Sequence, residues 1–178
     1  MIKILIGVVL VTVAVIATFL VLDPNVGIQS VGTVTEVANT FTVTVEGEVY
    51  KTGTYTLNEG ALMSDLLEAA GGTTNNADER AFYESSVLTS GVTYFIASKF
   101  DATDLCSSSE IDKVNVNSDD ASTLASINGI TQTIANSIIT YRNENGLFST
   151  LEQLLEVYGI GNATYRKIRN YVILHAWV

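Results

Sequence analysis

Two short stretches, Asn128-Gly129-Ile130-Thr131 and Tyr158-Gly159-Ile160-Gly161, are where chemistry is most legible in this sequence. Each separates two runs of apolar residues at helical spacing, so each reads as a tight turn that opens a helix. The first amides of a helix have no acceptor within it, and the helix dipole places partial positive charge behind them. A Gly-x-Gly turn at that point aims several N–H donors the same way, an arrangement that holds a phosphate. Glycine suits it because a Cβ would obstruct the approach of backbone to a strand and resist the turn's φ angles. No base is read by such a contact, so binding through it is independent of sequence.

Other reactive residue types point elsewhere. Cys106 is the single cysteine, which excludes a disulfide framework, and nothing near it in sequence would activate a thiolate. His175 is the single histidine, placed by its surroundings on a helix near the chain end with a surface or packing role, and without a second His or Cys there is no zinc site. Asp119 and Asp120 precede an apolar helical run, where a carboxylate caps. Asn115, Asn117 and Asp119 begin like a calcium loop, but Asp120 stands at its sixth position and Ser126 at its twelfth. No Ser-His-Asp set can be assembled. These residues lead to the expectation of a non-enzyme with no cofactor and no metal.

The turns belong to a tandem repeat. A shift of 30 residues superimposes Leu124 on Leu154, Gly129-Ile130 on Gly159-Ile160, Ile138 on Ile168 and Tyr141 on Tyr171. Each copy reads as helix, turn, helix, with Asp119 or Asp120 capping the first. Leu151, Leu154 and Leu155 form an apolar face in the second copy, and Tyr165, Ile168, Tyr171 and Val172 continue its last helix. Neither hairpin could bury its face alone. Upstream, residues 31 to 57 alternate with the two-residue period of strands, with turns at Gly47 and Gly53. Leu62, Leu66, Leu67 and Ala70 then fall at helical spacing before Gly71-Gly72, and residues 92 to 97 return as a strand.

The string Val43-Thr-Val45-Glu-Gly47-Glu-Val49, followed by Gly53-Thr-Tyr55, Ala69-Ala70-Gly71-Gly72 and Ala77-Asp78, resembles the SLBB family of β-grasp modules. The turns at Gly129 and Gly159 resemble the helix-hairpin-helix DNA-binding motif. Together with Val114-Asn-Val-Asn117 and Gly146-Leu-Phe148-Ser, the layout is similar to ComEA-type competence DNA receptors. The resemblance implies an α+β chain: a transmembrane anchor over 1–23, an SLBB-like module over 30–100, a linker over 101–112 and a tandem helix-hairpin-helix domain over 113–178. It further implies that Gly159, Ile160, Gly161 and Asn162 hold one phosphate of double-stranded DNA, and that Gly129, Ile130 and Thr131 hold another. Thr131 stands where the motif has its second glycine and Asn128 where a proline is frequent, which leaves two readings of the first hairpin: a structural support, or a phosphate site of poorer geometry. Arg142, Arg166, Lys167 and Arg169 would supply a small cationic face. A DNA-uptake channel protein and self-association through the SLBB-like module are the further partners implied.

Charge divides along the same boundary. Residues 23 to 112 carry 14 acids against 3 bases, a net −11, while residues 113 to 178 carry 5 of each. The acidic module reads as a spacer that repels DNA and contacts protein, leaving the hairpins as the favourable surface. The competing reading of the whole is a surface adaptor that binds protein or glycan through that module.

From Ile4 to Leu22 runs an uncharged stretch of 19 residues, long enough as a helix to cross a bilayer. Lys3 precedes it and Asp23-Pro24 follows, which orients the N-terminus to the cytoplasm and the rest outward. A cleaved secretory peptide is the rival, but the run is longer than a usual signal core and no A-x-A site follows.

Overall fold

The computed structural model describes residues 39–101 and 109–176. The expected anchor over 1–23, with its membrane contact through residues 4–22, lies outside them, as do the alternating residues before Asn39 and the cysteine. Among the described residues no helix is long and apolar enough to cross a membrane.

The alternation after Asn39 becomes strand β1 (Thr40–Gly47), which turns back antiparallel into β2 (Gly53–Asn58) with Val43 opposite Tyr55. Helix α1 (Met63–Ala69) follows, its first turn fixed by Asp65, whose carboxylate accepts the Leu62 N–H at 2.8 Å. Strand β3 (Thr93–Ile96) then pairs parallel with β1, giving the order β2-β1-β3. The helix crosses the sheet and buries Met63, Leu66 and Leu67 on Val43, Val45, Tyr94 and Ile96. A fully buried leucine such as Leu66 contributes about 1.5–3 kcal/mol over an exposed one. This mixed sheet under one helix is a β-grasp-like module.

The C-terminal part opens with β4 (Val114–Asn115). Helix α2 (Ala121–Leu124) is capped by Asp120, whose carboxylate accepts the Thr123 N–H at 2.8 Å. That bond, as the leading cause, holds the Asp120 carboxyl down to about 2. Asp119 instead accepts the Asn115 N–H at 2.7 Å. Helix α3 (Gln132–Asn145), a 3₁₀ segment (Leu151–Glu156) and helix α4 (Asn162–Ile168) complete the two hairpins. Leu124, Ile138, Leu154 and Ile168 are fully buried at their centre, while Leu155 is 39% exposed and does not join the apolar face.

The sequence expectation of a long last helix is corrected. Helix α4 stops at Ile168, and Val172–Ile173 forms β5, parallel to β4 through the pairs Val114–Val172 and Asn115–Ile173. His175 follows that strand rather than lying on a helix. It stacks on Tyr83 with ring centroids 4.6 Å apart, and its Nε2 lies 3.1 Å from the Glu79 carbonyl. Asn117, part of the Val-Asn-Val-Asn phrase, ties the ends of the domain together: its Nδ2 donates to the Phe148 and Leu174 carbonyls and its Oδ1 accepts the Phe148 N–H, all at 2.8–2.9 Å.

Residues 38–178 form one compact unit, so the β-grasp module and the hairpins are packed together. Ala81 and Ala97 of the first belong to the core of the second, with Tyr83 and Phe95 packed against it. Asn170 Oδ1 accepts the Ser98 N–H at 2.8 Å, and the Leu174 N–H donates to the Arg80 carbonyl at 2.8 Å. Within the stretch expected as linker, the Ile111 N–H donates to the Lys99 carbonyl at 2.8 Å. At the same junction, fully buried Asp78 faces Arg80 Nη2 and Lys113 Nζ, each 2.9 Å from its Oδ2. Burial alone would raise that carboxyl, but the bonds from Arg80 and Lys113 outweigh it and hold it near 2.

Asp78→Ala strands the Lys113 ammonium, whose side chain is 1% exposed, and should cost about 3–5 kcal/mol in a denaturant titration. The depressed carboxyl also sets a pH window. Its contribution is complete above its unfolded value of about 3.9 and is lost as pH falls towards about 2. Melting temperatures across that range should fall less steeply for Asp78→Asn than for the parent.

Candidate nucleic-acid interface

Both turns close with the same bond: the Ile130 N–H donates to the Ile127 carbonyl and the Ile160 N–H to the Val157 carbonyl, each at 3.0 Å. The strain sits on the first glycine of each. Gly129 has φ +117° and Gly159 φ +93°, which side chains rarely adopt. Both are also tightly packed. A Cβ on Gly129 would lie 2.9 Å from Ile168 Cγ2, and one on Gly159 would lie 3.3 Å from Ile134 Cγ1. Ile130 and Ile160 are 3% and 4% exposed, so their side chains anchor the turns in the core, and their N–H groups already donate within the turns rather than to a ligand.

Gly161 behaves differently from the sequence expectation. Its φ is −94° and its ψ 177°, an extended conformation open to any residue, and a Cβ there would meet nothing within 4 Å. What the missing side chain provides is open space in front of the helix, not relief of strain. Thr131 holds the equivalent place at the start of α3 with φ −77° and ψ 164°, so the two turns share one backbone geometry. The Thr131 hydroxyl accepts the Ile134 N–H at 3.3 Å, leaving the amides of Gln132 and Thr133 without a helical acceptor. At α4 no side chain caps the end, and the amides of Asn162, Ala163 and Thr164 have no helical acceptor. Thr131, Gly161 and Asn162 are all exposed.

The four expected cations do not form one face. Arg142 donates through Nη1 to the Val116 carbonyl at 2.9 Å and serves the fold. Arg169 bonds Glu46 at 3.1 Å and lies 3.7 Å over the Phe95 ring, which commits it to the junction with the β-grasp module. Lys167 is exposed and donates to Asn128 Oδ1 at 2.8 Å, standing beside the first turn. Arg166 is exposed, and no carboxylate lies within ion-pair distance of it among the described residues.

One residue that bears on the interface, Glu152, is not legible as such in the sequence. Glu152 is 9% exposed, and its Oε1 accepts both the Phe95 N–H at 2.8 Å and the Tyr165 hydroxyl at 2.9 Å. It joins the sheet edge to the second hairpin. Burial pushes its carboxyl up, against those hydrogen bonds, and burial followed by the Glu152 charge also raises the Tyr165 hydroxyl. An acid inside the apolar Leu151–Leu155 run was the available signal. Tyr158, between Val157 and Gly159, is 82% exposed and stands at the crown of the second turn.

Comparison with known proteins agrees with this division. A model of the helix-hairpin-helix motif matches residues 109–173, and a model of the SLBB domain matches residues 42–91. ComE operon protein 1 of Bacillus subtilis is 32% identical over 142 residues, covering 75% of this chain and 69% of that protein. An uncharacterised Haemophilus influenzae protein is 46% identical over 63 residues, 35% of this chain and 56% of its own length. The transcriptional accessory protein Tex of Neisseria gonorrhoeae is 37% identical over 59 residues, 33% of this chain and 8% of its own length. The matched modules are non-enzymatic ones. With both of them present and a relative aligned over most of its length, the chain belongs to the ComEA-type family of competence proteins.

Proposed function

We propose that this protein is a membrane-anchored, outward-facing receptor that holds double-stranded DNA without regard to sequence and delivers it to a channel protein for uptake during natural transformation. The observation that carries the reading is the pair of turns with matched backbone geometry, each opening a helix whose first amides are unfilled. In a helix-hairpin-helix protein these are the donors for phosphate: the amides of Gln132 and Thr133 beside Thr131 at the first turn, and those of Asn162, Ala163 and Thr164 beside Gly161 at the second, with Gly129-Ile130 and Gly159-Ile160 shaping the turns behind them. Because the donors are main-chain groups, the contact has the same strength on any duplex. The anchor is the uncharged stretch from Ile4 to Leu22, and Lys3 before it sets the outward orientation. Copies associate through the β-grasp module, whose β2 has, among the described residues, a strand neighbour on one side only.

Variants at the glycines separate binding from folding. Gly161→Val should lose no more than about 1 kcal/mol of stability, since its backbone is already extended. Its affinity for duplex DNA should nevertheless fall about tenfold, because the new side chain fills the phosphate's approach. Gly129→Ala should instead cost about 1–3 kcal/mol through its positive φ and the contact with Ile168. Parent-like DNA affinity in a folded Gly161→Val chain would contradict the mechanism.

Salt dependence follows from the cation count. With Arg142 and Arg169 committed elsewhere, Arg166 and Lys167 remain, so log K against log salt should have a slope of roughly −2, and Lys167→Ala should reduce it by about one. For topology, protease added to intact cells should remove the C-terminal modules. Complete protection would exclude an outward orientation.

A further inference from the structure

Between the β-grasp module and the second hairpin lies an open cleft of about 390 Å³. One wall is the uncharged segment Gly91, Val92 and Thr93 at the start of β3, and the other carries Asn162, Arg166 and Arg169 of α4 and its end. Asn162 and Arg166 are four residues apart on α4 and share a face, so the groove leads directly away from the second turn.

Two acids also line this cleft, and both are engaged. Glu46 is paired with Arg169 at 3.1 Å, and Glu152 accepts the Phe95 N–H and the Tyr165 hydroxyl. Among the described residues Arg166 is the cleft cation with no carboxylate at ion-pair distance, and the one acid on the β-grasp wall, Glu46, is engaged by Arg169. The groove thus offers a guanidinium, a side-chain amide and the exposed Thr93 hydroxyl to a polar, negatively charged chain.

We propose that this cleft takes the sugar-phosphate backbone of the DNA held at the second turn, with Arg166 on one wall and the Gly91–Thr93 edge on the other. The proposal rests on the DNA-receptor reading and extends it. The β-grasp module, repelling as a whole with its net −11, supplies a contact wall at this one edge. At this edge the proposal departs from the expectation of a module that only repels DNA.

Duplex binding by the full chain, followed by fluorescence anisotropy at low salt, tests it through charge placed on the β-grasp wall. Thr93→Glu should weaken binding about tenfold and Thr93→Lys should strengthen it severalfold. Thr56→Glu, exposed on β2 outside the cleft lining, adds the same charge and should change affinity less than about twofold. Arg166→Ala should weaken binding as Thr93→Glu does. If the parent chain binds no duplex DNA, the receptor reading falls and this one with it. If the parent binds and Gly161→Val weakens it, while the Thr93 variants, folded by circular dichroism, behave like Thr56→Glu, the hairpin reading stands and the cleft has no part in it.

Discussion

Everything at the hairpin turns depends on a reciprocal packing constraint: each turn glycine rests on the helix opened by the other turn. Gly129 lies against Ile168 of α4, and Gly159 against Ile134 of α3. The two amide arrays are therefore oriented as a pair. A side chain at either glycine would press on the opposite helix and disturb the donors at the other turn as well as its own. This also explains why neither hairpin occurs alone here, since Ile138, Leu154 and Ile168 reach full burial when both are present. Thr131 fits the scheme because it occupies the extended position of its turn, where a side chain meets no φ restriction.

The junction with the β-grasp module imposes the second constraint, and charged groups take part in it beside the apolar packing of Ala81, Ala97, Tyr83 and Phe95. Glu152 and Arg169 on the hairpin side meet Phe95 and Glu46 on the sheet side, and Lys113 reaches back to Asp78. These groups fix an acidic module beside a nearly neutral one. The chain therefore uses cations in its fold that its charge balance could hardly spare for DNA. In the proposed receptor main-chain donors meet that shortage, because they bring partial positive charge without adding a basic surface. On the proposed reading, the same fixation keeps the direction of repulsion from the acidic module constant and leaves DNA the approach in front of the hairpins.

Much of this was legible in the residues. The 30-residue repeat, the turn glycines and the strand-helix-strand order follow from periodicity and backbone chemistry that are local in the chain. Contacts between distant segments were not. Val172 and Ile173 continue an apolar helical pattern, and only their pairing with Val114 and Asn115 makes them a strand. Arg142 and Arg169 show a charge in the sequence but not that Val116 and Glu46 already engage it. Glu152 looks like a surface acid until Phe95, 57 positions away in the chain, is brought to it. Sequence alone does not reveal which of the two glycines, Gly159 or Gly161, carries the positive φ.

The claim at the centre is that main-chain amides at the two helix starts hold the DNA. Amide chemical-shift mapping of the isotope-labelled chain during titration with duplex DNA tests it most directly. The account predicts that the largest shifts fall on Gln132 and Thr133 at the start of α3 and on Asn162, Ala163 and Thr164 at the start of α4, with the same pattern for duplexes of unrelated sequence. Saturable binding that leaves those amides unmoved and shifts residues of β2 or α1 instead would contradict it.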